Sequence, residues 1–283
     1  MLSELTARFG EQARAKVLAG EVVDADGVVI DDATVLPAGS SVYLYRDLPH
    51  EVSVPCDIPV LYQDADIVVV DKPHFLATMP RGQHVAQTAL VRLRRELGLP
   101  ELSPAHRLDR LTAGVLLFTT RRELRGAYQT LFARGLVSKT YLARAAVDPG
   151  LVLPRLVRSR IIKRRGRLQA VCEPGLPNAE TLVELQSPDG LYRLTPRTGR
   201  THQLRVHMAS LGIPILGDPL YPDVIPVAAQ DFSAPLQLLA QRIEFDDPLT
   251  GLRREFVSSR RNKGCRPGDG EMIAGDLGRL ADQ

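Results

Sequence analysis

Two short stretches of this chain concentrate residues that could do chemistry. The first is Pro104-Ala105-His106-Arg107-Leu108-Asp109-Arg110-Leu111-Thr112-Ala113-Gly114, leading into the apolar run Val115-Leu116-Leu117-Phe118. Cations on both sides of a carboxylate favour its ionised form, and an ionised carboxylate can act as a nucleophile or a base. The same residues also read as a surface ion-pair cluster, which is worth little. The second stretch is Arg197-Thr198-Gly199-Arg200-Thr201-His202-Gln203-Leu204-Arg205-Val206-His207-Met208. Here a glycine-containing turn feeds a helix whose first turns are crowded with donors. Helix N-terminal amides with Arg and His make an anion site, or else an exposed cationic helix end. Arg205 lies beside the apolar face, where a buried arginine needs a carboxylate partner. Asp109 is the candidate partner, and that pairing would join the two stretches into one site.

Other chemistries lack their residues. No Gly-x-Gly-x-x-Gly follows a strand and no phosphate loop ends in Gly-Lys-Ser/Thr, so a nucleotide cofactor is not expected. The Gly-x-Ser-x-Gly elbow is absent. His202 and His207 diverge on a helix, and no His, Cys and carboxylate set has zinc spacing, so no metal is expected.

The elements that must position the two stretches follow from periodicity. Ile67–Val70, Gly114–Thr119, Lys139–Val147, Thr181–Leu185, Tyr192–Thr195, Leu236–Phe245 and Arg254–Val257 read as strands. Helices are expected over Val85–Leu97, Arg121–Arg134 with Gly135 as its C-cap, and Thr201–Leu211. Strands outnumber helices and are not separated by regular crossovers. The expectation is an α+β fold with a mixed, mostly antiparallel central sheet flanked by helices. Residues 1–54 read as a small N-terminal appendage, with a helix near Ala7–Ala19 and short strands at Glu21–Val23, Gly27–Ile30 and Ser41–Tyr45. The larger domain would span 55–259, followed by a flexible tail over 260–283.

The chain has 283 residues and a net charge of only +3. That total hides a basic middle: residues 81–167 carry 19 Lys and Arg against 5 Asp and Glu, whereas residues 1–80 carry 5 against 13. Such asymmetry points to a polyanion partner or to a solvated basic face. The apolar runs are far too short to span a membrane, and no secretory signal is visible. Cys56, Cys172 and Cys265 are widely separated and odd in number, which fits no disulfide scaffold and suggests a reducing cytoplasm.

The motifs carry a resemblance. His106-Arg107-Leu108-Asp109 with Thr112 and Gly114 is similar to the signature of the RluA family of RNA pseudouridine synthases. Gly199 to His207, then Gly212 and Pro214 to Tyr221, resembles that family's later motif. Ser138-Lys139-Thr140-Tyr141-Leu142-Ala143 resembles its Lys-x-Tyr segment, and Ile67 to Pro73 its opening strand. The order and spacing cover roughly residues 61–257. The histidine before Arg107 favours this branch over the related small-subunit rRNA branch.

The resemblance implies the pseudouridine synthase fold and an isomerase, an intramolecular transferase, acting on uridine in structured rRNA or tRNA without a cofactor. It implies Asp109 as the attacking group, at ribose C1′, at base C6 or by way of a glycal-like intermediate. Tyr141 would stack on the target base and help remove the C5 proton, and Arg205 would pair with Asp109. Arg107 would enter the space left by the flipped nucleotide. Flipping is required because the glycosidic bond cannot be reached inside stacked RNA. With these go Arg110, Arg200, His202, Arg164 and Arg165 as RNA-contacting residues in a monomeric enzyme. His106 reads as a structural hydrogen-bonding group. The rivals are a scaffold that binds RNA without catalysis and a hydrolase or phosphotransferase using Asp109 as a base. The first segment is laid out like the small ribosomal-protein-type RNA-binding domain of many family members. Its four Lys and Arg against nine Asp and Glu over residues 1–54 argue for packing or protein contact instead.

Overall fold

A computed structural model of the chain describes residues 5–7, 10–37, 39–44, 51–82 and 84–260. They divide into two compact units, Met1–His50 and Glu51–Gln283. The division falls slightly before the boundary expected at residue 54. Glu51 explains the shift: its carboxylate accepts hydrogen bonds from the backbone N–H of Val85, Ala86 and Gln87 at 2.8–2.9 Å, which ties it to the second unit.

The first unit holds α1 (Glu11–Leu18) and a strand pair, β1 (Val22–Val23) with β2 (Tyr43–Leu44). Val29 makes only an isolated bridge to Val23, so the strand expected at Gly27–Ile30 does not form. Its core is small: Leu5, Ala13, Val17, Val22 and Ile30, with Leu36 and Val42 against it.

The second unit is built on one large sheet. In chain order its elements are β3 (Val60–Gln63), β4 (Ile67–Lys72), α2 (Ala89–Glu96), β5 (Ser103–Pro104), β6 (Ala113–Thr119), α3 (Arg125–Ala133), β7 (Ser138–Arg144), β8 (Arg155–Ile162), β9 (Val171–Glu173), β10 (Ala179–Ser187), β11 (Leu191–Pro196), α4 (Gln203–Ser210), β12 (Leu238–Asp246) and β13 (Arg253–Val257). The spatial order is β3-β4-β6-β12-β7-β11-β10-β8-β9, with β13 on β12 and β5 on β6. Every pair is antiparallel except β6 with β12. The expected α+β class with a mixed, mostly antiparallel sheet is therefore the fold observed.

Both faces of the central strands are covered, which is why Ile67–Val70 of β4 and Val115–Phe118 of β6 are apolar without interruption. Val68, Val70, Leu116 and Phe118 pack into one core with Leu90 and Leu93 of α2 and Leu204 and Met208 of α4. The alternate residues Ile67, Val69, Val115 and Leu117 pack into a second core with Tyr128 and Leu131 of α3. Local chemistry sets the helix ends. Thr88 caps α2 by accepting from the Val91 N–H at 3.2 Å, so the helix starts later than the apolar spacing from Val85 suggests. Gly135 follows α3 at φ 70°, as expected, and Leu136 N–H returns to the Leu131 carbonyl.

The β6–β12 pairing depends on Gly114. Its φ is 114°, and a Cβ there would lie 2.1 Å from the Ala240 carbonyl oxygen. No L side chain fits such a contact, and backbone cannot retreat cheaply. Gly114→Ala should therefore destabilise the unit by about 3 kcal/mol or more, measured by chemical denaturation. An unchanged midpoint would mean that the two strands are not in this contact.

Two expectations at the chain's edges need correction. Arg260, assigned to a flexible tail, is tied to β4: its backbone N–H and guanidinium reach the Asp71 carboxylate, each at 3.3 Å, and its Nη2 reaches the Asp71 carbonyl at 2.9 Å. Residues 261–283 lie outside the described residues. Cys56 is disulfide-bonded while Cys172 is an exposed free thiol, so the expectation of no disulfide fails at Cys56. Among the described residues no helix is long and apolar enough to cross a membrane.

Candidate functional site

The two chemical stretches meet in one open cleft of about 120 Å³ in the second unit. Asp109 comes from the loop between β5 and β6, where Thr112 N–H donates to the Asp109 carbonyl at 3.0 Å and closes a turn. Below it, the Thr78 hydroxyl bridges both backbone groups of Leu108. Tyr141 comes from β7, in register with Leu194 of β11 and Ala240 of β12. Arg205 comes from α4. Arg107, Arg200 and His202 line the same cleft, so six of the nine expected site residues converge there.

The other three lie elsewhere. Arg110 turns away from the cleft and is half-buried, with a guanidinium N–H 3.4 Å from the Phe75 carbonyl. Arg164 and Arg165 sit on the β8–β9 hairpin, and Arg164 pairs with Glu173 at 2.6 Å. None of the three lines the Asp109 cleft.

The expected arginine–aspartate pairing is present, and a second aspartate joins it. Arg205 lies 3.8 Å from Asp109, at the outer limit of an ion pair. Its close partner is Asp218, which takes a forked pair of hydrogen bonds from Nε and Nη2 at 2.7 and 2.6 Å. The Arg205 and Asp218 side chains are only 3% and 1% exposed, whereas Asp109 is 21% exposed. Burial opposes the guanidinium charge, and the hydrogen bonds and charge of Asp218, then the charge of Asp109, more than restore it. Thus Asp218 fixes the arginine, and the arginine presents its remaining face to Asp109. Asp218 follows Gly217 in a stretch that is visible in the sequence. Its role was not, because only the folded turn after α4 brings it against the arginine.

The loop leading into α4 is equally determined. Gln203 accepts from Thr198 Oγ1 and Arg200 N–H at 2.7 and 3.0 Å and donates to the Glu180 carbonyl and Thr181 Oγ1 at 3.0 and 2.9 Å. His202, just before the helix, adopts the left-handed conformation at φ 59°, an uncommon one for a non-glycine residue. Its Nδ1 shares a hydrogen bond with the Tyr221 hydroxyl at 2.9 Å, and the Arg205 guanidinium lies over the Tyr221 ring at 5.2 Å. No acid–base role is needed to explain that ring.

Two lysines stand near Asp109, of which Lys72 carried no expected role. Lys139 lines the cleft, and burial pushes its ammonium down. Lys72, at the end of β4, is fully buried and donates to the carbonyls of Pro73 and Leu76 at 2.9 and 2.7 Å. Burial pushes it down to about 7, and the charge of Asp109 opposes that shift. The signal was present in Asp71-Lys72-Pro73, which reads as the stop of a strand rather than as a buried cation. Tyr141 is pushed above its ordinary range by burial and by the charge of Asp109, so its phenol stays protonated.

Three buried histidines hold this unit together as neutral rings. His106 accepts from Leu117 N–H at 3.2 Å and stacks on Phe132, matching its structural reading. His207 bridges Thr181 and Ser159, both at 2.9 Å, and His74 bonds the Leu111 carbonyl at 2.7 Å. Burial pushes His106 down to about 3 and His74 and His207 to about 4. An unfolded histidine takes up its proton near pH 6.5, so below that pH the unfolded chain binds more protons. The stability contribution is complete above about pH 6.5 and is lost as pH falls toward 4. Between pH 7 and 5 the melting temperature should drop on the order of 10 °C. A flat melting profile over that range would show that these rings are not held neutral. Among the described residues, no group of three or more His, Cys, Asp or Glu is placed to hold a metal ion.

The chain is similar to known proteins over most of the second unit. The family model described as RNA pseudouridylate synthase matches residues 66–210. An uncharacterized RNA pseudouridine synthase of Synechocystis sp. is 31% identical over 212 residues, covering 72% of each protein. The dual-specificity RNA pseudouridine synthase RluA of Yersinia pestis is 33% identical over 206 residues, covering 70% of this chain and 96% of that one. Among solved structures, human RNA pseudouridylate synthase domain containing 4 aligns with a TM-score of 0.55 at 27% identity, covering 74% of this chain and 89% of that chain. A cleft that joins Asp109, Tyr141 and an Asp218-braced Arg205 on this sheet thus comes with matching relatives, and the chain belongs to the RluA family of RNA pseudouridine synthases.

Proposed function

We propose that this protein isomerises uridine in structured rRNA or tRNA, with Asp109 as the nucleophile acting on a flipped-out nucleotide. The observation that carries the reading is the convergence of Asp109, Tyr141 and Arg205 in one cleft. The reaction breaks the N1–C1′ bond, forms a C5–C1′ bond, and moves a proton from C5 to N1. It needs neither an electron carrier nor an external group, and none is assigned. Asp109 attacks through its carboxylate, and the Arg205 guanidinium stands 3.8 Å from it. Tyr141 serves as the platform on which the base stacks and turns. A phenol that stays neutral cannot take the C5 proton without first losing its own, so stacking is the role favoured here over proton removal. Arg107 and Arg200, both exposed at the cleft, supply cations for the RNA backbone.

The reading takes the enzyme to be a cytoplasmic monomer that uses no nucleotide cofactor. The RNA substrate is supported by the names of relatives, among them the mitochondrial tRNA pseudouridine(32) synthase of Saccharomyces cerevisiae, 33% identical over 230 residues. The test is a pseudouridine map of total RNA from cells with and without the protein. One or more sites should vanish and return on re-expression. Identical maps, with no activity on rRNA or tRNA in vitro, would overturn the reading. Fractionation and sedimentation check the compartment and the oligomeric state.

A further inference from the structure

A second cavity opens at the base of the β8–β9 hairpin. It shares no lining residue with the Asp109 cleft and has a volume of about 430 Å³, within the range of small-ligand sites. Its walls join unlike chemistries. Leu168, Val171 and Val224 are exposed apolar side chains that line it. Arg164 and Arg167 line it as well, and Arg164 already pairs with Glu173. Arg167 has no carboxylate partner among the described residues. Gln169 donates its amide N–H to the carbonyls of Leu220 and Pro222, and its Oε1 accepts no hydrogen bond among the described residues.

An apolar wall, an unused acceptor and an unpaired guanidinium match the three faces of a nucleotide: the flat base, the N–H edge and the phosphate. Single-stranded RNA is recognised through splayed bases and backbone charge together. Extracting one nucleotide from a stack also leaves its neighbours without a stacking partner. We propose that this cavity takes a second, unpaired nucleotide of the RNA substrate, its base against Leu168, Val171 and Val224 and its phosphate at Arg167. The proposal rests on RNA being the substrate.

The cavity is wired to the site. Gln169 bonds the loop that carries Asp218, and Ala170 next to it donates its N–H to the Tyr221 hydroxyl at 2.7 Å and accepts from that hydroxyl at its carbonyl at 3.0 Å. Tyr221 in turn bonds His202 and lies under Arg205. A nucleotide seated here holds the hairpin against the loop that orients Arg205, so filling the cavity raises kcat as well as lowering KM.

The test irradiates the full chain bound to total RNA from cells grown with 4-thiouridine and identifies the crosslinked peptides. Crosslinks are expected in two places, the Asp109 cleft and peptides containing Leu168–Val171 or Val224. In Val224→Glu and Arg167→Ala the second set should fall about tenfold while the first persists, with kcat/KM falling by a similar factor. Both positions are lining residues outside the reacting groups, and melting curves check that the variants fold. Crosslinks confined to the Asp109 cleft, or unchanged by Val224→Glu, would overturn the proposal. Cavity crosslinks without any pseudouridine formed would support the cavity and count against the isomerase reading. Pseudouridine formed with an uncrosslinked cavity would do the reverse.

Discussion

Asp109→Asn is expected to give a folded protein that binds RNA and makes no detectable pseudouridine. The substitution keeps shape and removes only the charge. Asp109 is partly exposed and stands 3.8 Å from Arg205, so its ion pair adds little to stability. Arg205 keeps its forked contact with Asp218, and no buried charge is orphaned. Melting should therefore shift by no more than a few degrees. RNA affinity should hold, because Arg107 and Arg200 remain at the cleft. Turnover should fall by about 10⁴-fold or more, the scale on which loss of a nucleophile is felt in other enzymes. Single-turnover assays on the mapped RNA, beside a binding titration, separate the two quantities. Turnover within about tenfold of wild type would remove Asp109 as the nucleophile.

Asp218→Asn should do something different: lower stability and activity together. Its carboxylate is the close partner of an arginine that is only 3% exposed. Removing the charge leaves that guanidinium buried, with Asp109 as its remaining neighbour. Breaking one side of such a buried pair costs about 3–5 kcal/mol. Asp218 also accepts from Leu220 N–H at 2.9 Å, so the loop under Tyr221 loosens too. With Arg205 free to collapse onto Asp109, the carboxylate is tied up and kcat should fall about 10²-fold. A double variant, Arg205→Met with Asp218→Leu, tells the two effects apart. Replacing both charges with apolar groups should restore much of the melting temperature and none of the activity. Recovery of activity in that double variant would show that the pair is scaffolding only.

These two variants mark what was readable in the sequence. Asp109, Tyr141 and Arg205 could be named because their motifs stand in order along the chain. Asp109 was named as the partner of Arg205 and is one, but the closer partner, Asp218, was not named, because the geometry of the turn after α4 is what brings it to the guanidinium. Arg110 reads like Arg107 in sequence, since both flank Leu108-Asp109. The turn closed by Thr112 sends Arg107 into the cleft and Arg110 toward Phe75. β8 was missed because it mixes basic and apolar residues without a clean alternation, and only one of its residues is buried. Lys72 was missed because a cation buried among carbonyls leaves no mark in hydropathy. Arg260 was assigned to a tail on composition, and only the arrangement around Asp71 shows where it is anchored.

The order of strands has a consequence for the ribosome-bound life of this protein. Asp109 enters on β6 and Tyr141 leaves on β7, yet these strands are not neighbours, because β12 lies between them. Their spacing cannot be set until residues 238–246 have been translated. At about 5–20 residues per second, β6 waits roughly ten seconds after its own emergence for its partner. During that interval the nascent chain already displays its basic middle third, so it can associate with RNA while unable to act on it. Catalytic competence waits until β12 threads between two strands made long before it.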